Sequence, residues 1–108
     1  MELIYETFTT VAGTQYRKKN FEKAMGMFIA DATSDVRLVR EPENEHDHLA
    51  IKVYIFDIFI GYIPKKGNGP LRKLIRNEEL FISCKAEPSY DEYKDEDKCI
   101  LFIKVFKR

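Results

Sequence analysis

The chain has 108 residues, of which 44% are hydrophobic and 33% are charged, and these values are typical of a single soluble globular domain. Its 18 basic and 18 acidic side chains give a formal net charge of +0, which excludes a uniformly basic nucleic-acid binder but leaves room for a local basic surface. No apolar run reaches the roughly 18 residues that span a membrane, and acids precede the first basic residue, unlike in a signal peptide. We therefore expect one domain, residues 1–108, in the cytoplasm.

The N-terminal part of the chain predicts a strand and then a short helix. Residues 2–12 are rich in Ile, Tyr, Phe, Thr and Val, which favour strands, and Gly13 ends this run. Asn20 can cap a helix that Gly26 keeps short. The apolar side chains of this helix recur at helical spacing, namely Phe21, Ala24, Met25 and Phe28.

The middle of the chain predicts three strands and a polar loop. Residues 36–39 form a short strand, and residues 41–48 form a loop rich in residues that favour turns. Residues 50–56 and 58–63 are two further strands with only Asp57 between them. We therefore expect these two strands to form a hairpin with a tight turn.

The C-terminal part of the chain predicts a second helix and two more strands. Pro70 suits the first turn of a helix, and its apolar stripe consists of Leu71, Leu74 and Ile75. Residues 80–86 and 99–106 are strands, joined by an acidic loop at residues 91–97. The predicted order β-α-β-β-β-α-β-β favours a mostly-β (α+β) domain, built as a small barrel or strongly curved sheet of about six strands with two short helices.

Two basic runs are candidates for a nucleic-acid surface. The first, from Arg17 to Lys19, follows Tyr16, and the second consists of Lys65, Lys66, Arg72, Lys73 and Arg76. Proteins that bind single strands combine a basic groove with aromatic faces on which bases stack. Taken alone, however, a tyrosine such as Tyr16 more often packs beneath a neighbouring helix, and a basic run is about equally often a solvated face.

The polar loop holds the other candidate side chains. Arg40 can pair with Glu41 or Asp47 and brace the loop, or it can reach a phosphate group. Asn44 and Asp47 most often build such loops through hydrogen bonds that return to the backbone. The loop is therefore either a scaffold, a ligand-binding element, or both.

A metal-dependent hydrolase is an alternative from another class of protein. His46 and His48 lie two residues apart, so on an extended chain they point to the same side and could share a metal ion. Glu43 and Glu45 are carboxylates that could complete the ligand set. The two cysteines, Cys84 and Cys99, are by contrast too few and too far apart in the sequence for a zinc site. We expect them to be free, partly buried thiols on strands. No Ser-His-Asp arrangement or Gly-rich nucleotide loop occurs, so we expect neither catalysis nor a cofactor.

Three segments together resemble the HIRAN domain, a module that occurs beside DNA-repair helicases and also alone. The first segment is Val11-Ala12-Gly13-Thr14-Gln15-Tyr16. The second runs from Leu38 to Val53 and contains the pieces Arg-Glu-Pro, Asn, Asp and Ala-Ile. The third is Ile60-Gly61-Tyr62-Ile63-Pro64-Lys65. The resemblance covers roughly residues 8–80. It implies a modified OB-like β-barrel with two helices that binds single-stranded DNA at its 3′ end.

The resemblance also implies roles for individual residues. Tyr16 matches an aromatic that stacks on a base, Asp47 matches the acceptor of a hydrogen bond from the terminal 3′-hydroxyl, and Lys65 matches a basic position that holds phosphate. The sequence departs from the helicase-linked members at three positions: Gln15 replaces a basic residue, Arg17 a second aromatic, and His46 the tyrosine before the aspartate.

We therefore expect a nucleic-acid-binding module that prefers single-stranded DNA with a free 3′-hydroxyl. Its expected contact residues are Tyr16, Arg17, Arg40, His46, Asp47, Lys65 and Lys66. A protein-interaction adaptor is the other alternative, because the acidic loop with Tyr90 and Tyr93 could contact a basic partner. A helicase or a nuclease is the kind of protein partner that the resemblance implies.

Overall fold

The computed structural model describes residues 1–28 and 34–108, and within them it contains six strands and two α-helices. The strands are β1 (Glu2–Thr9), β2 (Ser34–Arg40), β3 (Ile51–Ile55), β4 (Ile58–Tyr62), β5 (Leu80–Asp91) and β6 (Glu96–Lys107). The helices are α1 (Lys18–Gly26) and α2 (Gly69–Leu74), and a 3-10 turn at Thr14–Arg17 leads into α1. In the described part of the chain, no helix is both long and apolar enough to cross a membrane.

The strands form one antiparallel sheet in the order β1-β6-β5-β2-β3-β4. The chain just beyond β1 returns to the opposite edge of this sheet at β4. There the Ala12 amide donates to the Tyr62 carbonyl at 2.8 Å, and the Tyr62 amide donates to the Ala12 carbonyl at 2.9 Å. This bridge closes the sheet into the small OB-like barrel, so the expected mostly-β fold is confirmed.

Closure of the barrel depends on a glycine at the point where the two edges meet. A Cβ atom at Gly61 would lie 2.3 Å from the carbonyl oxygen of Ala12 and 2.8 Å from the side chain of Val11. The register between β3 and β4 also shifts beside Gly61, which marks a β-bulge. No larger residue fits between the two backbones without moving one of them.

The barrel interior is filled by alternate residues of the strands. Ile51, Val53 and Ile55 of β3 are buried, and the same alternation on β6 buries Leu101, Ile103 and Val105. The two helices add one fully buried residue each, Ala24 from α1 and Leu71 from α2. The alternation of side chains along these strands therefore identifies the residues that face the barrel interior.

Both cysteines lie on strands and point into this core. Cys84 and Cys99 are free thiols, and burial raises the pKa of each to about 12. A thiol with such a pKa remains protonated at neutral pH and is a poor nucleophile. The expectation of free thiols on strands is confirmed, and both thiols are more deeply buried than predicted.

The first helix begins earlier than its sequence pattern predicts. α1 starts at Lys18, so Asn20 lies inside the helix and is not its cap. The Asn20 side chain instead donates a hydrogen bond to the Phe59 carbonyl of β4 at 2.9 Å. The prediction of Asn20 as the cap was wrong because a tertiary hydrogen bond uses its side-chain amide. The predicted end at Gly26 is confirmed.

The strands on both sides of the acidic segment at residues 91–97 are longer than predicted, which shortens the predicted loop to a tight turn. β5 and β6 pair as far as Asp91 and Glu96, so only four residues form the turn. The Asp91 side chain accepts hydrogen bonds from the amides of Tyr93 and Lys94 at 3.0 and 3.2 Å and thereby builds this turn. The long hairpin continues because backbone pairing does not depend on apolar side chains.

The tight connection between β3 and β4 is confirmed. Ile55 and Ile58 pair directly, and the two residues between them, Phe56 and Asp57, have φ angles of 52° and 61°. Such angles match the turn that suits a two-residue hairpin, although glycine or asparagine is usual there. The Phe56 ring packs edge-on against Phe28 at a centroid distance of 5.2 Å, and this contact helps to hold the unusual conformation.

Candidate nucleic-acid interface

The polar loop between β2 and β3 is built around Asn44. Its Oδ1 atom accepts hydrogen bonds from the amides of His46 and Asp47 at 2.9 and 3.0 Å. Its Nδ2 atom donates to Oε1 of Glu41 at 2.6 Å. These bonds give the loop a defined shape, so the scaffold role predicted for Asn44 is confirmed.

Asp47 stands at the end of this loop with its two carboxylate oxygens in different surroundings. Oδ1 accepts hydrogen bonds from the Leu49 amide at 3.1 Å and from Nη2 of Arg72. Oδ2 lies 3.9 Å from Nζ of Lys65, and the Asp47 side chain is 19% exposed. One oxygen is thus committed to the scaffold, while the other faces a lysine that is itself largely exposed.

Arg72 belongs to the second basic run of the sequence, but its place beside Asp47 was not predicted. It reaches from α2, where its Nε also donates to the Leu49 carbonyl at 3.3 Å. The guanidinium therefore clamps the end of the loop from across the fold. The sequence predicted the helix α2 from its apolar spacing, but it gave no sign that Arg72 on this helix would bond Asp47, 25 residues earlier in the chain.

Glu41 connects the loop to the barrel wall. Its carboxylate accepts hydrogen bonds from Asn44 and from the Tyr62 hydroxyl at 3.0 Å, and it pairs with Nζ of Lys52 at 2.8 Å. The hydrogen bond from Lys52 is the main reason that the pKa of Glu41 lies below its usual value. Burial, and then the bond to Glu41, raise the pKa of Tyr62. Arg40 is exposed and, among the described residues, forms no ion pair with Glu41 or Asp47.

Tyr16 projects from the 3-10 turn and is 81% exposed. It does not pack beneath α1, which was the alternative favoured when this tyrosine is considered alone. Its neighbour Arg17 is partly buried, donates to the Gly13 carbonyl at 3.0 Å, and places its guanidinium 4.4 and 5.2 Å from the ring centres of Phe59 and Tyr62. The turn therefore combines an available aromatic face with a cation held in place on two rings.

The loop before α2 presents its two lysines to the exterior. Lys65 and Lys66 are exposed, whereas Asn68, three residues beyond Lys65, is only 2% exposed. The Asn68 side chain donates to the Pro64 carbonyl at 2.9 Å and to the Thr9 hydroxyl at 3.1 Å. Asn68 thus fixes the loop against β1, and Lys65 reaches Asp47 from a defined position.

The histidines offer little for a metal ion. His46 is exposed, and Nδ1 of His48 lies 3.0 Å from the Pro42 carbonyl. Within residues 1–28 and 34–108, no three His, Cys, Asp or Glu side chains come together as a ligand set. The described structure therefore provides no observation in favour of the metal-dependent alternative.

The expected contact residues fall into a linked set and an unlinked set. The linked set is connected by successive contacts between neighbouring side chains and the loop backbone, in the order Arg17, Tyr62, Glu41, Asn44, Asp47 and Lys65. Tyr16 is adjacent to this set in sequence. His46 is linked to this set only through its backbone amide, which donates to Oδ1 of Asn44. Among the described residues, no ion pair or side-chain hydrogen bond ties the side chains of Arg40, His46 or Lys66 to it.

The closed barrel of six strands assigns this chain to the class of small OB-like domains. The sequence profile of the HIRAN domain family matches residues 4–104. The chain therefore belongs to the HIRAN domain family, which is generally a nucleic-acid-binding module.

Two solved structures share the fold. The HIRAN domain of human HLTF superimposes with a TM-score of 0.66 at 19% identity, over 99% of this chain and 80% of that one. A protein from Lactobacillus plantarum superimposes with a TM-score of 0.61 at 17% identity, over 94% of this chain and 98% of that one. No curated protein matches the chain significantly.

Proposed function

We propose that this domain binds single-stranded DNA, prefers an end with a free 3′-hydroxyl, and carries out no catalytic step of its own. The observation that carries the proposal is the asymmetry of the Asp47 carboxylate. Arg72 and the Leu49 amide occupy Oδ1, whereas Oδ2 accepts no hydrogen bond from the described residues and lies 3.9 Å from Nζ of Lys65. Oδ2 can therefore accept a hydrogen bond from a ligand.

The charge of Asp47 restricts what that ligand can be. A carboxylate repels phosphate groups, so it suits a position where the nucleic acid offers a donor and carries no phosphate. A terminal 3′-hydroxyl meets both conditions. A hydrogen bond to a charged acceptor typically contributes about 1.5–3 kcal/mol. We expect the neighbouring Lys65, whose side chain is 66% exposed, to contact the preceding phosphate.

The proposal is tested by fluorescence anisotropy with two oligonucleotides that carry a 5′ label and differ only in a free or phosphorylated 3′ end. The wild-type protein should bind the free end at least about tenfold more tightly, since roughly 1.4 kcal/mol corresponds to a factor of ten. Binding of both should weaken as salt is added. Equal affinity for the two ends would contradict end recognition, and no binding even at low salt would favour the protein-interaction adaptor instead.

Replacing Tyr16 with alanine should weaken binding of single-stranded DNA by about 1–3 kcal/mol, because one stacked base loses its aromatic platform. The melting temperature should stay nearly unchanged, since the Tyr16 side chain is 81% exposed. Tyr93→Ala is the matched control, because Tyr93 is a fully exposed tyrosine at the tip of the β5–β6 hairpin. Loss of stability without loss of affinity would show that Tyr16 is a packing residue.

A further inference from the structure

The outer surface of β2, β3 and β4 carries aromatic and cationic side chains in adjacent rows. Arg37 of β2 pairs in register with Tyr54 of β3, which pairs with Phe59 of β4, and the next row pairs Lys52 with Tyr62. The residues between them on β3 point into the core, so these side chains face outward. Together with Arg17, which lies over β4, they form what we name the aromatic–cationic face: Arg17, Arg37, Lys52, Tyr54, Phe59 and Tyr62.

The groups of this face touch one another from end to end. The guanidinium carbon of Arg37 lies 4.3 Å from the ring centre of Tyr54. The Tyr54 and Phe59 ring centres are 5.5 Å apart, as are those of Phe59 and Tyr62. Arg17 then spans Phe59 and Tyr62. Cations held over rings in this way lose little further side-chain freedom when they bind a phosphate.

The cation at the far end of the face is only weakly neutralised. Arg37 lies 3.6 Å from the Asp57 carboxylate, but their side chains are 57% and 89% exposed, and an exposed pair contributes little. Lys52, in contrast, is closely paired with Glu41 at 2.8 Å. Arg37 is thus the member of the face that can exchange its partner for a phosphate most readily.

The near end of the face is continuous with the candidate interface. Tyr62 belongs to both, because its ring lies beside Arg17 and its hydroxyl bonds the Glu41 that braces the Asp47 loop. Aromatic side chains alternating with cations are what a single nucleic-acid strand needs, and OB-like folds bind oligonucleotides on a sheet face of this kind.

We propose that a single-stranded nucleic acid whose 3′ end lies at Asp47 continues across the aromatic–cationic face, where Arg37 contacts a backbone phosphate beyond the terminal nucleotides. This inference rests on the proposed function and extends it to the path of the strand. It predicts a footprint longer than the end itself, within the roughly 4–16 nucleotides that one OB fold covers.

The test compares oligothymidylates of 4 and 12 nucleotides, both with a 5′ label and a free 3′-hydroxyl, in anisotropy titrations at several salt concentrations. The wild-type protein should bind the 12-mer at least about threefold more tightly. Arg37→Ala should remove most of that difference, leave the 4-mer unaffected and reduce the log–log salt slope for the 12-mer by about 0.7, the value for one phosphate contact. Lys94→Ala removes one exposed positive charge from the β5–β6 turn and should change neither affinity.

A second variant acts in the opposite direction. Asp57→Asn removes the acid beside Arg37 and keeps a residue that tolerates the φ angle of 61° at this turn, so it should strengthen binding of the 12-mer about twofold. Equal affinity of the two lengths, or an Arg37→Ala protein that binds the 12-mer as the wild type does, would overturn the extended path while end recognition stands. The face would then be a candidate for protein contact. Failure of the wild type to bind either length would overturn the proposed function and this inference together.

Discussion

Asp47→Asn should reverse the preference of the protein for one type of DNA end. The wild type should favour the free 3′-hydroxyl by about tenfold or more, whereas the variant should bind the 3′-phosphorylated oligonucleotide at least about threefold more tightly than the free end. This is the largest change in binding that we expect from any single substitution. The measurement is the anisotropy titration with free and phosphorylated ends.

The reversal follows from the charges that surround Asp47. The carboxylate pairs with Arg72 and lies 3.9 Å from Lys65, and it supplies the only negative charge in this group of three. Asparagine keeps an oxygen that accepts from the Leu49 amide, so the loop retains its shape. The repulsion of phosphate is lost, however, and two cations are left without a counter-charge. Hydrogen bonds from such cations to phosphate are among the strongest in proteins.

Asp97→Asn is the control for the general effect of removing one negative charge. Asp97 is an exposed residue of β6 near the hairpin turn, and its neutralisation should raise the affinity for both ends equally or not at all. The end preference of this control should therefore remain that of the wild type. If Asp47→Asn also kept the wild-type preference at an unchanged melting temperature, Asp47 would be part of the scaffold only.

Gly61→Ala should destabilise the domain by roughly 3 kcal/mol, at the upper end of what overpacking usually costs. The new Cβ would lie 2.3 Å from the Ala12 carbonyl oxygen, and that oxygen belongs to the backbone bridge that closes the barrel. Neither backbone can retreat without losing the paired hydrogen bonds between Ala12 and Tyr62. Thermal unfolding should show a melting temperature lower by more than about 10 °C, given about 4–8 °C per kcal/mol for a domain of this size.

Gly69→Ala provides the comparison for this substitution. A Cβ atom at Gly69 would meet no atom within 4 Å, and the residue lies at the start of α2. Alanine there should leave stability unchanged or raise it slightly, because it reduces the freedom of the unfolded chain. A Gly61→Ala protein as stable as Gly69→Ala would mean that the edges of the sheet do not meet at Ala12 and Tyr62.

Local patterns in the sequence were sufficient to predict most secondary structure. The alternation on β3 and β6, the helical spacing before Gly26 and the proline at the start of α2 all predicted the correct elements, because each is a pattern that is complete within a short stretch of the chain. The motifs around Gly13, Asp47 and Gly61 also predicted the family. The errors arose where a tertiary hydrogen bond or backbone pairing prevailed over the local sequence pattern, as at Asn20 and in the acidic hairpin.

Only the tertiary structure decided which side chains meet. Arg72 clamps Asp47 from another element, Arg17 lies on two rings of β4, and Gly61 admits the backbone of Ala12. Each of these contacts joins residues more than 20 positions apart, and no local period in a single sequence encodes such pairings. The sequence by itself therefore determined the elements, the inward face of the sheet and the family, whereas folding decided the barrel closure, the surroundings of the Asp47 carboxylate and the aromatic–cationic face.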